Sequence, residues 1–300
     1  MNATRSPLSL SGVLVPLATP FRSDGSLALD VVPALVGHLL NAGVTGVVVA
    51  GTTGEGYALD QVERAATLEA TLSAVAGRVP VLAGVGGTST SEALVQARLA
   101  ARCGADGVMV AAPAYCLPTA TELAQHVLAV VATAGVPAVL YDYPARTGVS
   151  FDVGALDLLA GHELVVGIKE ASGDLTRIDM LCTRFGGQLA LISGSDTLAM
   201  HYFAAGARCW IAGFANVLPA EHVAMCAAAA NGDLAAGWAI QQQLAPILAN
   251  VESGCYNAKV KAGLQLRGID VGPPRPPMAA LGEAESSALR AQMVALGHCT

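Results

Sequence analysis

Eight short apolar runs constrain the fold of this 300-residue chain more than any other feature: Gly12 to Leu17, Gly46 to Ala50, Val79 to Ala83, Gly107 to Ala111, Ala138 to Tyr141, Leu164 to Lys169, Leu189 to Ile192 and Cys209 to Ala212. Each is followed by a polar or Gly-rich loop and then by a helix-length stretch, such as Asp30 to Asn41, Gln61 to Ala76, Ser91 to Arg102 or Thr121 to Ala132. The runs are continuously apolar rather than alternating in period two, as expected of strands buried on both faces of a parallel sheet. Eight such units predict a (β/α)8 TIM barrel, and a single barrel commonly reaches this length. After the eighth run, helical stretches near Ala220 to Ala230, Leu234 to Leu248, Ala258 to Leu266 and Glu283 to Leu296 remain. The first completes the barrel. We therefore expect a catalytic barrel over residues 1–232 and a C-terminal helical appendage over 233–300.

The rival architecture is a doubly wound nucleotide-binding sheet, which needs Gly-x-Gly-x-x-Gly between its first strand and helix. The Gly84-Val85-Gly86-Gly87 run follows the third strand instead, and Gly51-Thr52-Thr53-Gly54-Glu55-Gly56 lacks the Gly-Lys-Ser/Thr ending of a phosphate-binding loop. The formal charge of −7 gives no electrostatic reason to bind nucleic acid or an anionic membrane. Leu123 to Tyr141 carries no formal charge, but Gly135-Val136-Pro137 breaks it into helix, turn and strand. Around Leu8 to Phe21, preceded by Arg5, two prolines and the lack of a small-residue cleavage site argue against a signal peptide. Seven cysteines without a Cys-x-x-Cys pair point to reduced thiols and a cytoplasmic protein. Six dispersed histidines supply no metal-ligand spacing, so no metal and no other cofactor is expected.

In a barrel of this kind the active site is assembled from the C-terminal ends of the strands. The chemically unusual residues fall there. Strand two is followed by Thr52 and Thr53, strand four by Tyr115, strand five ends in Tyr141 and leads to Arg146, and strand six ends in Lys169. Lys169 is one of only three lysines, the others being Lys259 and Lys261. A lysine closing a buried strand loses solvation of its ammonium form and supplies a neutral amine able to attack a ketone. Each residue also has an ordinary explanation: a strand-end charge for Lys169, a tight turn for the Gly-Thr-Thr-Gly run, rim aromatics for Tyr115 and Tyr141, a surface ion pair for Arg146. What sets them apart is their shared placement at one end of the barrel.

The chain resembles the dihydrodipicolinate synthase and N-acetylneuraminate lyase family of Schiff-base aldolases. The resemblance runs from Gly12-Val13-Leu14-Val15-Pro16 through Gly51-Thr52-Thr53-Gly54-Glu55, Tyr141-x-x-Pro144-x-Arg146-Thr147-Gly148 and Gly167-Ile168-Lys169-Glu170 to Ala215-Asn216-Val217. It implies that Lys169 forms an imine with pyruvate, that Tyr141, Thr52 and Tyr115 relay protons, and that Thr53 and Ile211 hold pyruvate. It further implies that Arg146 receives the carboxylate of aspartate semialdehyde, and that Tyr115 reaches a neighbouring subunit across a tight dimer within a homotetramer. The expected activity is the pyruvate-dependent condensation of that semialdehyde. The alternative is a paralogous aldolase, lyase or dehydratase acting on a sugar acid or hydroxyproline-pathway 2-oxo acid. A non-catalytic 2-oxo-acid-binding barrel is disfavoured because it needs no proton relay beside an imine-forming amine.

Four departures from the synthase pattern bear on the second substrate. Ala114-Tyr115-Cys116-Leu117-Pro118 replaces a Tyr-Tyr-Asn-x-Pro segment, Asp142 stands where asparagine is usual, Gly56-Tyr57 follows Glu55, and Ser253-Gly254-Cys255-Tyr256-Asn257 replaces an Asn-Pro type segment.

Overall fold

The computed structural model describes residues 8–299; Arg5, with the rest of 1–7, lies outside the described residues, as does residue 300. Eight parallel strands close into a barrel in chain order: β1 Gly12–Pro16, β2 Gly46–Val49, β3 Val81–Val85, β4 Gly107–Ala111, β5 Ala138–Asp142, β6 Val165–Glu170, β7 Ala190–Ser193 and β8 Cys209–Ile211. Closure is made by β1 and β8, with Gly12 opposite Cys209. The third strand is displaced from the expected Val79 to Ala83. Pro80 has no N–H to give to the ladder, so pairing starts one residue later and runs on to Val85.

Alternation along the strands divides the core in two. Leu14, Val48, Leu82, Met109, Val139, Ile192 and Ile211 fill the barrel interior, whereas Val13, Val15, Val47, Val49, Val108 and Leu140 pack outward under the helices. Both faces are buried, which is why the strands read as unbroken apolar runs. Leu8 and Leu10 close the N-terminal end of the barrel from below. Their approach needs glycine: a Cβ on Gly167 would lie 3.1 Å from Leu10 and 2.9 Å from the Ala190 carbonyl oxygen.

Helices start where the sequence can satisfy their free N–H groups. Asp60 and Thr119 form capping boxes with Glu63 and Glu122 at the heads of Gln61–Val75 and Ala120–Ala134. Gly135 ends the second of these at a φ of 62°, and β5 begins three residues later at Ala138. The break expected in the uncharged 123–141 segment is therefore present, and among the described residues no helix is long and apolar enough to cross a membrane.

Beyond Pro219–Ala230 come the helices Leu234–Glu252, Tyr256–Leu266 and Glu283–Ala295. Leu234–Glu252 runs four residues past the expected Leu248. Its final Glu252 carboxylate accepts the backbone N–H groups of Asp196 and Thr197, at 3.0 and 3.2 Å, tying the helix end to the loop after β7. A second tie lies outside the barrel mouth. Lys261, 3% exposed, reaches Glu55 at 2.7 Å over the ring of Phe21, and the Arg275 N–H donates to the same carboxylate at 2.9 Å.

Candidate active site

Lys169 and Tyr141 face each other in the β5–β6 register, and both side chains point inward at the C-terminal rim. The amine lies 4.3 Å from the centre of the Tyr141 ring. Lys169 is only 5% exposed, and among the described residues no carboxylate pairs with it. Burial pushes its pKa down to about 8, opposed by the more distant charge of Asp196. A buried amine near neutrality is a competent nucleophile. Burial drives the Tyr141 phenol the other way, well above its ordinary value, with the Thr52 hydroxyl partly offsetting that effect. Tyr141 therefore rests as a neutral phenol, able to give a proton and take it back.

The strand ends are braced from behind. Asp142 and Glu170 follow Tyr141 and Lys169 in register, and Arg177 bridges them, contacting Asp142 and donating to Glu170 at 2.8 Å. Ser150 also donates to Asp142, at 2.6 Å. The aspartate that departs from the usual asparagine thus turns away from the reaction cavity and is compensated by a guanidinium. Gly56 has an equally local cause. A Cβ there would lie 2.0 Å from the Ala50 carbonyl oxygen, so no serine fits.

In front of the amine opens a cavity of about 600 Å³. Six of the seven residues picked out in the sequence line it: Lys169, Tyr141, Thr52, Thr53, Arg146 and Ile211. Arg146 is exposed at the mouth, with its guanidinium 5.7 Å from the Tyr143 ring centre and, among the described residues, no ion-pair partner. A free guanidinium at a cavity mouth suits a carboxylate. Tyr115 is the exception. It does not line the cavity; it stands 93% exposed on the loop after β4, in left-handed backbone at a φ of 74°.

The structure adds residues to which no role was assigned from the sequence. Asp196 enters from the loop after β7, and its Gly194-Ser195-Asp196 setting at a strand's C-terminal end is the signal that would have flagged it. Tyr256 comes from the appendage and donates to Asp196 at 2.9 Å. Tyr57, one of the departures, lines the mouth and accepts a hydrogen bond from Asn257 at 3.2 Å. No local pattern ties Tyr256 to a residue 60 positions earlier or Asn257 to residues 200 and 205 positions earlier. Among the described residues no group of three or more His, Cys, Asp or Glu side chains is arranged to hold a metal ion.

An unpaired, buried amine beside a neutral phenol at the mouth of a closed (β/α)8 barrel defines the class, a lyase barrel of the aldolase type. Residues 9–296 match the profile of the dihydrodipicolinate synthetase family. The chain is 39% identical over 293 residues to a 4-hydroxy-tetrahydrodipicolinate synthase of Xanthomonas axonopodis pv. citri, covering 96% of each chain. It is 36% identical over 298 residues to 4-hydroxy-tetrahydrodipicolinate synthase 2 of Streptomyces coelicolor, covering 99% of each. Among solved structures, the chloride-inhibited dihydrodipicolinate synthase of Acinetobacter baumannii in complex with pyruvate superposes with a TM-score of 0.93 at 29% identity, covering 97% of this chain and 100% of that one. This chain belongs to the dihydrodipicolinate synthetase family.

Proposed function

We propose that this lyase acts as a 4-hydroxy-tetrahydrodipicolinate synthase, condensing pyruvate with aspartate semialdehyde in the cytoplasm without a cofactor. The observation that carries the reading is the pairing of buried Lys169 with the unpaired Arg146 in one cavity. Lys169 Nζ adds to the pyruvate ketone carbon, the carbonyl oxygen leaves as water, and a protonated imine remains. That cation withdraws electrons, so the methyl group gives up a proton to become an enamine, which attacks the aldehyde. Tyr141, with Thr52 beside it, carries protons between these steps. Thr53 and the backbone at Ile211 hold pyruvate, and Arg146 takes the carboxylate of the aldehyde substrate.

Residues 1–232 serve as the catalytic barrel, and the 233–300 region walls its mouth through Gly254, Cys255, Tyr256 and Asn257. The presence of Tyr57 and Tyr256 in the cavity lining supports a second reading, a paralogous lyase acting on another 2-oxo acid. Arg146→Ala separates the two. On the synthase reading it keeps the pyruvate imine but loses turnover with aspartate semialdehyde by roughly ten- to a hundredfold, as expected for a charge-assisted contact of about 1.5–3 kcal/mol. Unchanged condensation kinetics in that variant sinks the synthase reading and promotes the paralogue.

Tyr115 completes the proton relay of a second copy, in a tight dimer that forms half of a homotetramer. Its exposure and its absence from its own cavity lining favour this role, as does the neighbouring exposed Leu117. Mixing Tyr115→Phe chains with Lys169→Ala chains should restore activity, because some sites then receive both intact groups. No recovery after proven subunit exchange overturns the assignment.

A further inference from the structure

Asp196 is a buried carboxylate, 3% exposed, in the lining of the same cavity as the amine. The loop that carries it leaves β7, the strand paired with β6, where Lys169 is opposite Ile192. Its setting is rigid. One carboxylate oxygen, Oδ2, accepts the Tyr256 hydroxyl at 2.9 Å and the Phe214 N–H at 2.9 Å. Its backbone N–H donates to Glu252 at 3.0 Å, and its carbonyl accepts from Gln241 at 3.2 Å. The other oxygen, Oδ1, is buried and has no hydrogen-bond partner among the described residues. An uncompensated carboxylate oxygen is costly to bury, so one without a partner on a residue lining the same cavity as a reactive amine calls for a charge that arrives during the reaction. Tyr256 also takes the space above β8: a Cβ on Gly213 would lie 2.0 Å from its hydroxyl and 3.1 Å from Thr53 Oγ1.

We propose that Asp196, clamped by Tyr256 and the Phe214 N–H, is a positioning residue that serves as counter-ion to the protonated imine on Lys169. The inference rests on the imine reading above. When the neutral amine adds to the ketone, the C–O π pair moves to oxygen, that oxygen takes up protons and leaves as water, and the nitrogen retains one proton and a positive charge. Burial penalises that charge, and a fixed carboxylate nearby offsets the penalty. Asp196 already acts in this sense on the free amine, holding its pKa up against burial. The ionisable groups that face Asp196 are Lys169 on β6, Tyr141 on β5, His222, Glu252 and Tyr256. Burial holds both phenols and His222 towards their neutral forms and raises the pKa of Glu252, which leaves Lys169 as the only cation among these groups for Asp196 to stabilise.

The test uses the full chain and reductive trapping of pyruvate as a function of pH. Asp196→Asn keeps the shape and removes the charge, so it should move the midpoint of imine formation to more acid pH by about one unit and weaken the unreduced imine's equilibrium with pyruvate about tenfold. Tyr256→Phe keeps the charge and releases the clamp. It should leave the midpoint in place while weakening the adduct a few-fold. A purely structural role for Asp196 produces no acid shift. A folded Asp196→Asn protein with an unmoved midpoint overturns the assignment, and should that variant fail to fold, an unweakened adduct in Tyr256→Phe overturns it instead. Absence of trapping in the unmodified protein removes the imine reading itself, an outcome distinct from either.

Discussion

Two lysines of this chain are almost equally hidden, and each stands over an aromatic ring, but they are electrostatically unlike. Lys261, 3% exposed and 4.1 Å from the Phe21 ring centre, is bound to Glu55 at 2.7 Å and donates to the Pro273 carbonyl at 3.0 Å. Lys169, 5% exposed and 4.3 Å from the Tyr141 ring centre, has no such partner among the described residues and faces an open cavity. Burial is the largest influence on both and lowers the pKa of each; at Lys261 a carboxylate in direct contact opposes it, whereas at Lys169 only the charge of Asp196, which makes no ion pair with it, does so, and the amine comes to about 8. Burial alone therefore does not make a nucleophile. The difference lies in leaving the amine unpaired and giving it space for a ketone.

Breaking each lysine should expose this contrast. Lys169→Ala should abolish pyruvate trapping and reduce condensation to background while the thermal unfolding temperature stays near that of the parent. Tyr141→Phe should retain the fold and lower turnover by about 10²- to 10⁴-fold, the usual worth of a positioned acid/base group. Lys261→Ala should do the reverse. Removing one partner of a buried pair strands Glu55, at a cost of about 3–5 kcal/mol in denaturant unfolding, with per-molecule activity of the folded fraction largely kept. Equal loss of trapping in the Lys169 and Lys261 variants would erase the distinction. The smallest effect belongs to Tyr57→Phe at the mouth, where loss of a neutral hydrogen bond with Asn257 should cost about 0.5–1.5 kcal/mol, read as a modest rise in KM for the aldehyde substrate and none for pyruvate.

Much of the scaffold was legible because it follows from local rules. Strand alternation with helices, capping residues such as Asp60 and Thr119, and the Gly135 break are written within a few positions of the features they cause. So are Lys169, Tyr141, Thr52, Thr53 and Arg146, since the fold itself says which end of each strand carries chemistry, whereas Ile211 is legible only through the family resemblance. The β3 start differs from the apolar run because the missing N–H of Pro80 outweighs the apolar character of Val79. In the sequence Tyr256 and Asn257 stand out only as departures from a pattern. Their place in the cavity depends on how a helical appendage folds back over the barrel, and no periodicity in the chain encodes that approach. The sequence sets Asp142 among the departures that bear on the second substrate, whereas in the fold its charge is taken up by Arg177, seven positions beyond Glu170 in a loop-borne helix.

The central claim is that Lys169, unpaired and desolvated, is the amine that forms the pyruvate imine. Cyanoborohydride trapping from about pH 6 to about pH 10, with peptide mass mapping of the product, measures both parts of it at once. The adduct should fall on the peptide carrying Lys169 and form at a rate that climbs as the amine loses its proton, with half-rise near the pKa of about 8. An adduct confined to Lys259 or Lys261, or a half-rise near the ordinary lysine value of about 10.4, would contradict it.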